Sequence, residues 1–329
     1  MPEVRWLSLT PAGPLSLGNL TPVGQNSGQV GCRWPPNGHQ LAACLQLPAS
    51  ARLWGPFWHR WGQRELYVSL PLPVYALDDG KDAVPAEVFR LQNVDGYWQP
   101  RPEHQGQPIK AVGGSYLVSG VGLRLLWRAG KLKVTHDELV TLPWQTLTLS
   151  HNSREDYQVK EEGGFFAEMT TLMEPGWSIL AGILGDYEPP EMSTLGAGGM
   201  PVVVQEVKLP QAAWQWLGET CERATGGVLL TGALWSSGTY SQPYPQGVSL
   251  RGYAAEMGQP WQSWKRVKDR RNPSQQVSVL TPGEWLTPAG AVYLWQEPPP
   301  VQHSGPWPDP FHRDALGYGH IWLFRDEEP

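Results

Sequence analysis

The sequence predicts an α+β protein of two sheet-and-helix domains, and three observations carry that expectation. Its apolar stretches are brief and rich in β-branched and aromatic residues, as strands are. Its 37 glycines and 33 prolines cut the 329 residues into short pieces and supply many turns. Helical periodicity is confined to one or two stretches per half, so helices are expected to be few.

VRWLSL (4–9) is the first strand candidate, followed by a Pro/Gly/Asn-rich loop of about 25 residues. A loop of that length in a compact domain marks a candidate functional segment. HQLAACLQL then fits a short helix, with Leu41, Cys44 and Leu45 at helical spacing. ELYVSLPLPVYAL alternates as a strand until its prolines stop it. Residues 78–115 are polar and interrupted by Pro and Gly, which suggests an insertion or flap. From 116 onward YLVSGVGLRLLWR, TLTLSH, FFAEMTTLM, WSILAGILG, MPVVVQEVKL, VLLTGALW, AVYLWQ and HIWLF all read as strands. AAWQWLGETCERATGG reads as a helix with a glycine stop. The division is expected near 148: an N-terminal domain of 1–148 with the insertion, and a C-terminal domain of 149–329 with glycine-rich loops.

Composition narrows the function classes. Cys32, Cys44 and Cys221 are an odd number without a CxxC pair, so neither a disulfide framework nor a thiolate zinc site is supported, and reduced core thiols of a cytosolic protein are expected. MPEVRWLSLTPAGPL has no basic region followed by an apolar one, and the apolar runs fall short of the roughly 20 residues that span a bilayer, so no membrane role is expected. The net charge of −6 argues against wholesale coating by nucleic acid. The charge is uneven: residues 1–150 hold 13 Lys and Arg against 10 Asp and Glu, the remainder 12 against 21. Any phosphate contact must therefore be local. Eighteen tryptophans can furnish core, stacking platforms and subunit contacts together.

Enzymatic motifs are missing. There is no GxxxxGK[ST], HExxH or GxSxG, and LGAGGM (195–200) follows PPEMST rather than a strand, so a dinucleotide fingerprint fails. Asp78, Asp79 and Asp82 around Gly80 read as turn chemistry rather than a cation site, and His136-Asp137 lacks partner histidines. No cofactor or metal is expected, and no enzyme.

Three stretches remain. WQSWKRVKDRRN (261–272) puts Lys265, Arg266, Lys268, Arg270 and Arg271 beside Trp261 and Trp264, cations for phosphates next to rings for bases. A solvated basic loop, or a contact to an acidic partner, explains it equally well. HNSREDYQVKEEGGFF (151–166) offers His151, Asn152, Arg154 and Lys160 as donors ahead of Gly163-Gly164, with functional and structural readings both open. LGYGHIWLF (316–324) is either a bulge made for packing or a loop made to touch a ligand. A hidden enzyme would be a metal-free RNA-cleaving one, with His151 or His320 as general base.

The order of these stretches resembles the third RAMP subunit of the Cmr module of type III-B CRISPR effectors, or its counterpart in a related type III variant. The matching segments are WPPNGHQLAACLQ, then WGPFWHRWGQRELYVSLPLP, HNSREDYQVKEEGGFF, LGAGGMPVVVQEV, TPAGAVYLW and LGYGHIWLF. Gln46 and Met200 stand where that family commonly has arginines, so two phosphate contacts are in question and residues 265–271 offer compensation. The resemblance implies two ferredoxin-like, RRM-like RAMP folds with long loops and insertions, and a non-catalytic subunit that binds the 5′ tag of the crRNA. It implies further contact with the large polymerase-like subunit and the backbone RAMP subunit, with target RNA met only indirectly. Backbone amides at Gly196, Gly198, Gly199, Gly317 and Gly319 would then approach phosphates, and Tyr318, His320 or a tryptophan would stack on a base. Two rival readings are the precursor-processing endoribonuclease and a purely structural scaffold.

Overall fold

The alternation in VRWLSLTP and the apolar run in WSILAGIL put two strands at the centre of the main sheet, each covered on both faces. The computed structural model describes residues 3–18, 28–30, 32–80, 83–135, 137–152, 154–155, 158–159, 165–235, 242–262, 264–268 and 276–326. In chain order the first elements are β1 (Val4–Pro11), α1 (Gly38–Leu45), β2 (Arg52–Arg60), β3 (Tyr67–Ser69), β4 (Tyr116–Ser119) and α2 (Gly120–Ala129). There follow β5 (Leu139–Thr141), β6 (Trp144–Asn152), β7 (Phe165–Met173), β8 (Trp177–Leu184), β9 (Met192–Leu195) and β10 (Met200–Glu206). The main sheet is antiparallel throughout, in the order β5-β4-β3-β2-β8-β1-β10-β9.

The second sheet is built from β11 (Gly226–Leu229), β12 (Leu250–Ala254), β15 (Val292–Trp295), β16 (Gly305–Pro306) and β17 (His320–Phe324), in the order β12-β15-β11-β17-β16. Between its members, β13 (Trp264–Lys268) and β14 (Gln276–Leu280) pair as a separate hairpin. Strand periodicity decides the packing. Leu7, Leu9, Ile179, Ala181 and Ile183 join Leu41, Cys44 and Leu45 of α1 on one face of the main sheet. On the other, Trp6, Phe57 and Leu180 meet Leu123, Leu126 and Trp127 of α2 and Val228, Val292 and Trp322 of the second sheet. The two sheets therefore share a core, and truncating a fully buried leucine there, such as Leu180, costs about 2–5 kcal/mol.

Both main helices are capped. Asn37 Oδ1 accepts the Gln40 amide at 3.1 Å while Gln40 Oε1 accepts the Asn37 amide at 2.9 Å, and α1 stops at Gln46 in the left-handed region. Ser119 Oγ accepts the Gly122 amide at 3.0 Å, and α2 stops at Gly130.

Three expectations change. YLVSGVGLRLLWR is not one strand, because the Ser119 cap converts it after four residues into α2. AAWQWLGETCERATGG holds only a helical turn, Gln211–Trp214, and a 3₁₀ turn, Gln215–Gly218. Wedging Trp216 into the core, with its indole N–H on the Ala213 carbonyl at 2.8 Å, ends the helix there. The insertion at 78–115 is no bare flap: Glu87–Arg90 and Ile109–Ala111 pair with Val74–Leu77, and Gln92–Val94 with Tyr97–Gln99. In the main sheet β8, β9 and β10 lie together with β1 and β2.

Candidate nucleic-acid interface

The loop after β1 is a seam between three elements. Its Leu15 exchanges backbone hydrogen bonds with Thr171 of β7 at 2.8 and 2.9 Å, the Ser16 carbonyl accepts the Ala197 amide at 2.8 Å, and the Leu17 carbonyl accepts the Arg33 amide at 3.1 Å. Arg33, the β6–β7 hairpin and the Gly196–Gly199 turn between β9 and β10 are thereby brought together. Gly196 has φ +83°, and a Cβ there would lie 2.4 Å from the Ser16 carbonyl oxygen, so only glycine allows this approach. Gly198 and Gly199 are exposed, with open space beside them, although the Gly199 amide donates to the Gly196 carbonyl at 3.2 Å.

His151 lies near the end of β6, its Nε2 3.2 Å from Glu168 Oε2 on β7, and Ser16 Oγ donates to the other oxygen of the same carboxylate. Asn152 is exposed on the same strand. Arg154 belongs to a short strand whose backbone pairs with Val159. Lys160 lies outside the described residues.

At the base of β6, Trp144 joins a tryptophan cluster: ring centroids are 4.4 Å apart for Trp58 and Trp144, and 5.6 Å for Trp34 with each of them. Trp34 is half-buried, lines a cleft with Arg33, Asn37, Gly55 and Pro56, and its buried Nε1 has no hydrogen-bond partner among the described residues. Burial pulls the Arg33 guanidinium below its ordinary value, opposed by Tyr318. A half-buried cation beside a ring can neutralise a phosphate while a base stacks.

No family model matches the chain, and no curated protein matches it. Among solved structures, a chain of the type III-B Cmr-β complex bound to cognate target RNA and AMPPnP is 9% identical, with a TM-score of 0.42 over 88% of this chain and 86% of that one. A chain of the same complex bound to cognate target RNA is 10% identical at the same score and coverage. A chain of the Csm1–Csm4 cassette in complex with cA4 is 11% identical, with a TM-score of 0.37 over 100% of this chain and 99% of that one.

The remaining candidates are placed differently from expectation. Tyr318 and His320 are interior. The Tyr318 hydroxyl meets His39 Nδ1 at 2.9 Å, its ring lies edge-on to Trp261, and burial raises its pKa. His320 is fully buried, with Nε2 2.9 Å from the Leu217 carbonyl and burial lowering its pKa to about 4. The His320 ring faces protein on all sides, so it offers no face to a base and is no general base, whereas Tyr318, although buried, borders the cleft of Arg33 and Trp34. The amides are likewise taken: Gly317 donates to the Asp314 carbonyl at 3.1 Å and Gly319 to the Gly232 carbonyl at 3.0 Å. Gly317, at φ +79°, would put a Cβ 2.6 Å from the Gly55 carbonyl oxygen, so the LGYG turn is a packing device between the two sheets.

Trp261 is buried against Leu234 and Tyr318, which removes it as a stacking platform. Lys265, Arg266 and Lys268 lie on β13, with backbone partners Val279, Ser278 and Gln276, while Arg270 and Arg271 lie outside the described residues, as do Asp82 and His136. Asp78 accepts the Gly80 amide at 3.0 Å, the turn chemistry expected. Among the described residues no group of His, Cys, Asp and Glu could hold a metal, and no helix is long and apolar enough to cross a membrane.

The two residues that differ from the resembled pattern, Gln46 and Met200, have local roles. Gln46 is the left-handed cap of α1, and Met200 packs on the apolar cluster beneath β1. Sequence reasoning marked the loop after β1 by its length but missed Arg33, Trp34, Trp144 and Glu168. The long hairpin rising from Trp144 was the available signal.

Proposed function

We propose that the chain is a non-catalytic, crRNA-binding subunit of a type III CRISPR ribonucleoprotein acting in antiviral defence, the RAMP subunit with two ferredoxin-like folds seated at the 5′ end of the guide. It binds the repeat-derived tag and joins the large polymerase-like subunit to the backbone filament in the cytoplasm. The ordered series of motifs suggests the subunit. The observation that carries the RNA reading is the convergence of the Gly196–Gly199 turn, the loop after β1, Arg33 with Trp34, and the β6–β7 hairpin on one face. Backbone turn, cation and ring are what single-strand recognition needs. Lys265, Arg266 and Lys268 of β13 add cations from the second half, and Arg270 and Arg271 follow them in sequence. The test is binding of tag-bearing and scrambled RNA to the chain or its complex, for the wild type and a variant charge-reversed at 265–271. Affinity indifferent to both changes overturns the proposal.

The His151–Glu168 contact supports a second reading, an endoribonuclease in which the carboxylate orients the imidazole. Incubation with repeat RNA decides it, because discrete cleavage lost in His151→Ala would establish the enzyme. A pure scaffold would give no RNA adducts on crosslinking.

A further inference from the structure

On the opposite side of the main sheet from α1, a cleft of about 410 Å³ opens between α2, the end of β17 and the segment after Gly218. Arg90, Arg124, Arg128 and Arg325 line it with Thr220, against the two carboxylates Glu219 and Asp326. In a chain whose net charge is −6, four arginines on one small cleft are a local reversal of sign.

The arginines are held in two different ways. Arg90 is spent on the fold: it donates to Asp326 at 2.6 Å, an acceptor that Arg251 approaches to 3.9 Å, and it lies 5.7 Å from the Trp127 ring centre. Arg124 forms no ion pair among the described residues, with its Nε on the Gly120 carbonyl at 3.2 Å and its guanidinium 5.9 Å from the Trp216 ring centre. Glu65 feels Arg124, although burial raises that carboxyl more than Arg124 lowers it. Arg128, one turn further along α2, and Arg325, past β17, are exposed and form no ion pair among the described residues. The helix C-terminus explains a cation at Arg128 but not the other three around it.

We propose that this cleft binds a phosphate-bearing ligand of nucleotide size. Guanidinium forks match the oxygens of a phosphate bidentately, and the volume falls within the range of about 300–1,000 Å³ usual for small-ligand sites. Trp127 and Trp322 are buried beneath the cleft, so recognition is through the phosphate and not through ring stacking. The site is independent of the interface around Arg33 and does not rest on the RNA-tag reading.

Calorimetric titration of the full chain tests it, with ATP, inorganic pyrophosphate, and one RNA oligonucleotide carrying either a 5′-triphosphate or a 5′-hydroxyl. Arg128→Gln/Arg325→Gln is the variant, since both side chains are exposed and form no ion pair among the described residues, and Lys208→Gln, an exposed cation that does not line the cleft, is the control. The expected result is saturable binding of phosphate probes, weakened at least tenfold in the double variant and unchanged in Lys208→Gln. Binding of ATP and pyrophosphate marks a free nucleotide as the source; binding of the 5′-triphosphate RNA alone marks an RNA end. Three results overturn the proposal: no saturation at millimolar probe, binding unaltered in the double variant, or equal competition by a poly-glutamate peptide, which would make the cleft a contact for an acidic protein.

Discussion

Replacing Gly317 by alanine separates a packing glycine from an RNA-touching one. The residue sits at φ +79°, where an L side chain costs about 1–2 kcal/mol. Its new Cβ would lie 2.6 Å from the Gly55 carbonyl oxygen and 3.0 Å from that of Leu53, both backbone atoms that cannot swing aside. Relieving such overpacking costs typically about 1–3 kcal/mol. Together the terms give about 2–5 kcal/mol, a large part of the roughly 5–15 kcal/mol that holds a domain folded. Urea unfolding followed by tryptophan fluorescence reads the loss directly, and with a slope of about 3 kcal/mol/M the midpoint should fall by about 1 M. Gly198→Ala is the counterpart: a Cβ there meets nothing within 4 Å, so stability should change by less than about 0.5 kcal/mol. If Gly317→Ala unfolds like the wild type yet loses RNA, the assignment of the LGYG turn to packing is wrong.

Acid should destabilise the protein through His320. Its pKa of about 4 in the fold lies below the ordinary 6.5, so between those values the unfolded chain binds the extra proton and stability falls as pH falls. The loss reaches about 3 kcal/mol and levels off below the lower value, and in His320→Gln, where an amide can still meet the Leu217 carbonyl, this part of the pH dependence should vanish from urea midpoints measured from pH 4 to 7. Arg313→Met strands Glu284, which accepts from Arg313 at 2.6 Å, and Asp309, and unfolding should show a loss of about 3–5 kcal/mol. Trp34→Ala should cost about 1–3 kcal/mol of affinity for single-stranded RNA in fluorescence anisotropy, and Arg33→Gln should flatten the salt dependence by about one phosphate contact.

What the sequence made legible follows from which forces are local. Helix α1 could be read because Leu41, Cys44 and Leu45 repeat at helical spacing, and β8 because an apolar run of eight residues has few other uses. Helix α2 was hidden by Val118 before Ser119 and by Gly120, Val121 and Gly122 after it, although Leu123, Leu126 and Trp127 carry the helical interval. The turn at Gly317–Gly319 was misread for a stronger reason. The partners that bury it, His39 for Tyr318 and Leu217 for His320, are 279 and 103 residues away in sequence. No local pattern distinguishes a glycine that admits a ligand from one that admits another strand of the same chain. The glycines at 196–199 have the same composition, yet two of them remain open.

Photocrosslinking of the guide in the assembled complex, read by mass spectrometry, tests the central claim most directly. Adducts of the tag nucleotides should map to Cys32–Trp34, to residues 144–152 and 165–173 of the long hairpin, and to the 196–199 turn. Tag adducts confined to other surfaces, or none anywhere on this chain, would contradict it.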